Sequence, residues 1–338
     1  MRQIRYTKPG IALMEAPEPE LAAPTDVKIK VAYASLCGSD LHILRGDFDA
    51  FLTPELCAIG HEAAGTIVDV GTAAGEHGLS IGDTVTFYFN RFCAACRYCR
   101  NGQEQFCSQV RISTGFMSDY VVLDERQVYR LQAGVNLADA ALIEPMTVAM
   151  RGIDLCRIRP GMTVAVFGGG GIGQLAARLA QLSGAAALTL IEPTAAKRAV
   201  AAAGGANHVL DPATDDIAGA CAEITGGIGF DVVIDTSGAP SACRTAMDIV
   251  GRGGLVEFLG TYPPAFVLDV PMGLAFMREV TVVTGVFQSP YMFPRGIELH
   301  ARLGLSDLVT GYLPADCAGA VDDQRSGDTV KALFDFSS

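Results

Sequence analysis

Four cysteines fall within fifteen residues: Cys93, Cys96, Cys99 and Cys107, spaced C-x2-C-x2-C-x7-C. Thiolates this close can converge on one tetrahedral Zn2+. The other six cysteines, at 37, 57, 156, 221, 243 and 317, are scattered. Disulfides fit poorly. The start, Met1-Arg2-Gln3-Ile4-Arg5-Tyr6, has no hydrophobic signal core, and the scattered cysteines form no pairing framework. An iron–sulfur cluster also suits four cysteines. The spacing favours zinc.

A second pattern is made of glycine. Gly168-x-Gly170-x-x-Gly173 follows the apolar run Thr163-Val164-Ala165-Val166-Phe167 and opens a helical stretch from Ile172 to Leu182. Glu192 stands nineteen residues after Gly173, where Leu188-Thr189-Leu190-Ile191 ends. A strand, a glycine turn, a helix and a distal acid form a dinucleotide-binding unit. Gly168, Gly170, Gly171, Ile172 and Gly173 would let the backbone meet a pyrophosphate at the positive helix end. Glu192 would accept hydrogen bonds from the adenosine ribose and repel a 2′-phosphate, which favours NAD over NADP. Lys197 and Arg198 follow closely and read as a solvated helix face. Arg198 is retained as a cofactor-contact candidate.

The elements that must position these residues change in texture near residue 150. Before it, short alternating runs read as strands: Val27 to Val31, Gly65 to Gly71, Gly82 to Phe87 and Tyr120 to Leu123. The cysteine cluster interrupts them as an irregular loop, residues 90–108. After it, apolar runs alternate with helical stretches at Val209-Leu210, Asp231 to Ile234, Leu255 to Leu259 and Val280 to Thr284. That alternation predicts a doubly wound parallel sheet with helices on both faces. The expected division is residues 1–150, a β-rich domain; 151–284, the nucleotide domain; and 285–338, of helix and turn texture, returning to the first domain. The fold class is α/β.

Bulk composition narrows the function. The chain has 338 residues, half of them hydrophobic, with 38 glycines, no tryptophan and a net charge of −12. Such acidity without a basic run argues against nucleic acid. No apolar stretch reaches the ~18 residues that a bilayer span needs. A soluble, cytoplasmic protein is expected.

Three further residues gain meaning from their surroundings. Cys37 lies in Cys37-Gly38-Ser39-Asp40-Leu41-His42, His61 in Gly60-His61-Glu62-Ala63-Ala64-Gly65, and Glu144 in Leu142-Ile143-Glu144-Pro145. With the four-cysteine lobe and the Rossmann unit in this order, the chain resembles the zinc-dependent medium-chain alcohol and polyol dehydrogenases over essentially its whole length. The resemblance implies a GroES-like catalytic domain joined to a Rossmann coenzyme domain. It also implies two zinc ions per chain. Cys93, Cys96, Cys99 and Cys107 would hold a closed structural zinc. Cys37, His61 and Glu144 would hold a catalytic zinc, leaving one position for substrate. Glutamate as the third ligand points to the sorbitol-type branch. Glu62 would ligate directly, move in during turnover or hold a bound water.

The implied chemistry follows. The catalytic zinc would lower the pKa of an alcohol, and the zinc-bound alkoxide would pass hydride to the nicotinamide. Ser39 and then His42 would relay the proton outward, while Asp40 steadies the segment that carries Cys37. The resemblance also implies a homodimer or homotetramer, with Val280 to Val286 as the pairing edge.

The substrate is less defined. Polyol-oxidising relatives often carry Arg after the Gly-Val-Phe segment, whereas Gly285-Val286-Phe287 is followed here by Gln288, which argues against sorbitol itself. Phe48, Phe51, Phe89 and Phe287 are cleft candidates, though phenylalanines at such places are more often ordinary core. The expected reaction is hydride transfer between a secondary alcohol or polyol and NAD. The alternatives are a vicinal diol, an aldose or a β-hydroxy amino acid as substrate, or a non-catalytic zinc- and nucleotide-binding protein on the same fold.

Overall fold

The computed structural model describes residues 1–7, 10–46, 58–263 and 265–337. Phe48 and Phe51 lie outside the described residues. The chain divides into two units, Met1–Thr147 with Gln288–Ser338, and Val148–Phe287.

The first unit is organised by the ten-residue strand Asp26–Ser35. Antiparallel partners flank it: Glu62–Val70 and Tyr120–Asp124 along its length, and Lys331–Asp335 at its end. Thr84–Phe87 and Val128–Arg130 extend the sheet on one side, and Val309–Tyr312 closes the other. Alternation carries Val27, Ile29 and Val31 into the core with Phe87, Phe116 and Phe334. The final fifty residues differ from their expected helix and turn texture, because two of this sheet's strands come from them. Lys331 disguises one, since a strand-opening lysine normally faces water, yet this one is buried.

Register then decides what meets at one end of the sheet. Ser35 pairs with Glu62, and Leu333 pairs with Ser35. Cys37 lies two residues beyond Ser35, and His61 one residue before Glu62. Lys331 precedes Leu333 by two, so in an antiparallel ladder it shares that face and end. Gly60 has φ +90°, and a Cβ there would lie 2.5 Å from the Met117 side chain, so only glycine turns the chain into His61 at this point.

The second unit holds six parallel strands. Their order is His208–Leu210, Ala187–Ile191, Thr163–Phe167, Phe230–Asp235, Val250–Phe258 and Thr281–Thr284. Numbered along the chain this is 3-2-1-4-5-6, the doubly wound dinucleotide order. Phe230, Val233 and Val256 fill its core with Ala246 and Ile249 from the covering helix Pro240–Ile249. Among the described residues, no helix is long and apolar enough to cross a membrane.

Candidate metal and nucleotide sites

The cysteine lobe is pinned at its base by a two-stranded pair, Asn90–Arg91 with Arg111–Ile112. Within it the sulfurs of Cys93, Cys96, Cys99 and Cys107 all lie within 4.8 Å of one another. Ala94 adopts φ +56°, a strained value for a residue with a Cβ. This kink aims the Ala95 and Cys96 amides at Cys93 Sγ, at 3.5 and 3.3 Å. Gln109 donates likewise to Cys107 Sγ at 3.4 Å. Amide donation from Ala95 and Cys96 holds the Cys93 thiol low, and amides of Cys99 and Ser108 bring Cys96 to about 5. Burial, and bonds from neighbouring thiols, push Cys99 up to about 12. Four sulfurs this close cannot all ionise unless a cation offsets them, which is the condition a thiolate zinc centre satisfies.

The second cluster combines Cys37, His61 and Glu62, whose donor atoms lie within 4.8 Å of one another. Cys37 caps the helix Gly38–Arg45, and its amide donates to Asp40 Oδ2 at 2.9 Å. Asp40 is buried, with Oδ1 accepting from the Gly60 amide at 3.4 Å and lying 3.9 Å from His61 Nδ1. One carboxylate thus braces both donor-bearing segments. Burial opposes a charged imidazole at His61, yet the Cys37 sulfur, its bond to the ring, Asp40 and Glu144 push His61 well above its usual range. The surroundings favour positive charge at this point, as a metal site does. The Phe89 ring packs on His61 with centroids 5.1 Å apart and is itself buried.

Glu144 sits in the first turn of the helix Ile143–Cys156 and is buried. It does not join the 4.8 Å set, though its carboxylate acts on His61. Burial raises it to about 7, with Glu62 adding to the rise and His61, Gln288 and Lys331 opposing it. Ser39 is half-buried at the start of the helix Gly38–Arg45, with His42 one turn on. Arg45 Nη2 lies 2.7 Å from His42 Nδ1. A guanidinium only donates, so Nδ1 accepts and the ring proton sits on Nε2.

Sequence reasoning missed four residues that complete this site. Lys331 places its ammonium on Glu62 Oε2 and on the Leu36 carbonyl, at 3.0 Å for the latter. Ser35 donates to the same Glu62 oxygen. Glu62 Oε1 is buried without a hydrogen-bond partner among the described residues. Gln288 donates to Glu144 Oε1, and Tyr88 donates to the Gln288 carbonyl at 3.1 Å. A buried lysine leaves no periodicity signal. The one available hint for Gln288 was its place where polyol-oxidising relatives often carry Arg.

In the nucleotide unit the helix runs Gly171–Leu182 with Gly170 as its N-cap and no side-chain cap. The Gly171, Ile172 and Gly173 amides therefore form the uncapped first turn that an anion can satisfy. Gly168 has φ +94°, and a Cβ on Gly173 would lie 1.8 Å from the Gly168 carbonyl oxygen. A Cβ on Gly170 would meet nothing within 4 Å, so this face is open for a phosphate. Glu192 accepts from the Gly169 amide at 2.6 Å and the Thr194 amide at 2.8 Å, and each oxygen keeps a lone pair for a ribose hydroxyl. Arg198 donates to the Glu192 and Pro193 carbonyls, both at 2.7 Å, and pairs with Asp211 at 3.0 Å. Phe287 is exposed, with φ +52°.

Comparison with known proteins gives the family. Residues 23–133 match the alcohol dehydrogenase GroES-like domain, and residues 171–302 match the zinc-binding dehydrogenase domain. The chain is 32% identical to an L-threonine 3-dehydrogenase of Pyrococcus abyssi, covering 99% of this chain and 98% of that one. It is 29% identical to the protein named "Probable D-xylulose reductase A" of Neosartorya fischeri, over 95% of this chain and 92% of the other. The protein described as "a putative zinc-binding dehydrogenase" from Sinorhizobium meliloti, solved bound to NADP, superposes with a TM-score of 0.91 at 27% identity, over 99% and 98% of the two chains. A GroES-like unit with clustered metal donors, followed by a Rossmann unit, places this chain in the family of zinc-dependent medium-chain alcohol and polyol dehydrogenases.

Proposed function

We propose that this chain oxidises a secondary alcohol or polyol with NAD, with Cys37, His61 and Glu62 holding the catalytic zinc and Cys93, Cys96, Cys99 and Cys107 the structural one. The observation that carries the ligand set is Glu62. Its Oε2 is saturated by Ser35 and Lys331, its Oε1 is buried without a hydrogen-bond partner among the described residues, and its carboxylate supplies a donor within 4.8 Å of those of Cys37 and His61. A buried carboxylate oxygen without a partner is costly unless something positive binds it.

Bound zinc would supply Lewis acidity, and bound nicotinamide would accept hydride. The chain's own residues do the rest. Asp40 orients His61 and the Cys37 backbone, and Phe89 keeps water from the imidazole. Ser39 passes the substrate's proton to His42. Uptake at His42 Nδ1 must displace Arg45, because a guanidinium cannot accept. Glu192 supports NAD, since its charge disfavours a 2′-phosphate while Arg198 is already paired with Asp211.

A second copy is the partner that best fits the exposed edge of the nucleotide unit. The helix Met272–Arg278 buries no residue, leaving Met272 at 69% and Phe276 at 76% exposure beside the edge strand Thr281–Thr284. Apolar surface of this kind marks an interface. Phe276→Asp should lower the mass seen by light scattering.

The decisive test joins metal analysis to turnover. Wild type should carry two zinc ions and reduce NAD with a panel of secondary alcohols, diols, aldoses and β-hydroxy amino acids. Glu62→Gln should lose one zinc, whereas Glu144→Gln should keep both. NAD reduction by no alcohol in the panel would end the dehydrogenase reading.

A further inference from the structure

Gln288 is fully buried and its backbone is held on several sides, while its side-chain Oε1 has no hydrogen-bond partner among the described residues. Its carbonyl accepts from Tyr88 Oη at 3.1 Å, and that hydroxyl accepts from Asn90 Nδ2 at 3.1 Å. The next residue, Ser289, donates to Glu104 Oε2 and sits 3.5 Å from the Gly102 carbonyl oxygen. Glu104 and Gly102 lie between Cys99 and Cys107, so the cysteine lobe grips this backbone. From that fixed position Gln288 Nε2 reaches Glu144 Oε1.

Two buried carboxylates therefore flank Cys37 and His61 in different conditions. Glu62 stands at metal-ligand spacing from both, and among the described residues its Oε1 has no hydrogen-bond partner. Glu144 stands outside that spacing with one oxygen occupied. To ligate, it would have to give up the Gln288 bond in a buried setting, where an amide left unpaired is costly.

We propose that Gln288 is a positioning residue that tethers Glu144 away from the catalytic metal, and that the cysteine lobe anchors this tether through Ser289 and Glu104. The proposal rests on the reading that Cys37, His61 and Glu62 are the ligands. With Glu144 restrained, the metal keeps an open position for substrate; released, Glu144 competes for it.

Cobalt in the catalytic site gives a readout independent of turnover. Gln288→Leu, loaded with Co2+, should show an altered visible band as Glu144 takes the position otherwise left for substrate. It should also release cobalt to a chelator more slowly than wild type, because Glu144 adds a protein ligand at the position left for substrate. In the zinc enzyme kcat should fall about tenfold or more, with nucleotide affinity unchanged. The double variant Gln288→Leu/Glu144→Gln should restore the wild-type spectrum. Glu104→Gln should shift the spectrum the same way, more weakly. Should Gln288→Leu fail to fold, Gln288→Asn, one methylene too short to reach Glu144, replaces it. Retained lobe metal and nucleotide binding certify the fold of either variant. An unchanged cobalt spectrum in a folded variant overturns the tether. An unchanged spectrum in Glu104→Gln overturns the anchor. Wild-type protein that binds no cobalt at Cys37 and His61 overturns the ligand reading instead.

Discussion

Lys331 sets its ammonium against Glu62 Oε2 although 269 positions of chain separate the two. The side chains are only 5% and 1% exposed. Two further hydrogen bonds complete the pair, from Ser35 to the same carboxylate oxygen and from Lys331 to the Leu36 carbonyl. One face of Glu62 is thereby neutralised and the other left for a cation. The last strand of the chain helps to set up a motif from its first quarter.

Removing the ammonium should expose that dependence. Lys331→Met leaves the buried Glu62 charge without its ammonium, and among the described residues the Ser35 hydroxyl is the hydrogen bond that remains. Stripped of metal, the variant should lose about 3 kcal/mol of unfolding free energy. With zinc bound the deficit should shrink, because the metal supplies the missing positive charge. Urea unfolding with chelator and with zinc measures both. Equal stability of the two metal-free proteins would show that the pair contributes nothing.

The cysteine lobe should fail structurally before it fails chemically. Cys99→Ser removes a buried sulfur that lies 3.6 Å from Cys96 and 3.9 Å from Cys93. The variant should carry one zinc fewer and melt at lower temperature, while its folded fraction still binds the nucleotide. Elemental analysis beside a melting curve checks this. A full zinc complement would contradict a four-cysteine centre.

Two glycines three positions apart should respond in opposite ways to alanine. Gly173→Ala puts a Cβ 1.8 Å from the Gly168 carbonyl oxygen, and the protein should not fold stably. Gly170→Ala meets nothing within 4 Å, so melting without ligand should stay near wild type. Nucleotide binding should weaken, because the methyl occupies space the phosphates need. Calorimetric titration with NAD measures the loss. Unaltered affinity in Gly170→Ala would move the pyrophosphate elsewhere.

Glu257 should give the nucleotide unit a pH signature. It is fully buried on the strand Val250–Phe258 and accepts from the Cys156 thiol at 2.9 Å. Burial lifts its pKa from 4.5 to about 6, against the opposing pull of the Cys156 bond and Arg151. The folded chain thus binds this proton more tightly than the unfolded chain. The resulting stabilisation is complete below 4.5 and is lost as pH rises through about 6. Glu257→Gln keeps an acceptor for the thiol and removes the titration. Its stability relative to wild type should therefore rise by about 2 kcal/mol between pH 4.5 and roughly pH 7.5. A difference that is flat with pH would show that Glu257 titrates alike in the folded and unfolded chains.

The sequence by itself determined the local parts. Cys93 to Cys107 are close in the chain, so their convergence needed only a short loop. The glycine turn, its flanking strand and helix, and Glu192 form one continuous supersecondary unit, readable because each step depends on near neighbours. Alternating apolar residues marked Asp26–Ser35 and its partners to within a few positions. Tertiary structure decided the rest. Which carboxylate stands at metal spacing depends on Ser35, Gln288 and Lys331, brought to Glu62 and Glu144 by strand register and by backbone fixed on the cysteine lobe. No local pattern encodes those meetings, since a lysine at a strand start or a glutamine after a phenylalanine is ordinary until a distant partner buries it. Long-range register, set by a whole sheet's hydrophobic faces, turned two equivalent glutamates into one with an oxygen left unpartnered among the described residues and one that is held.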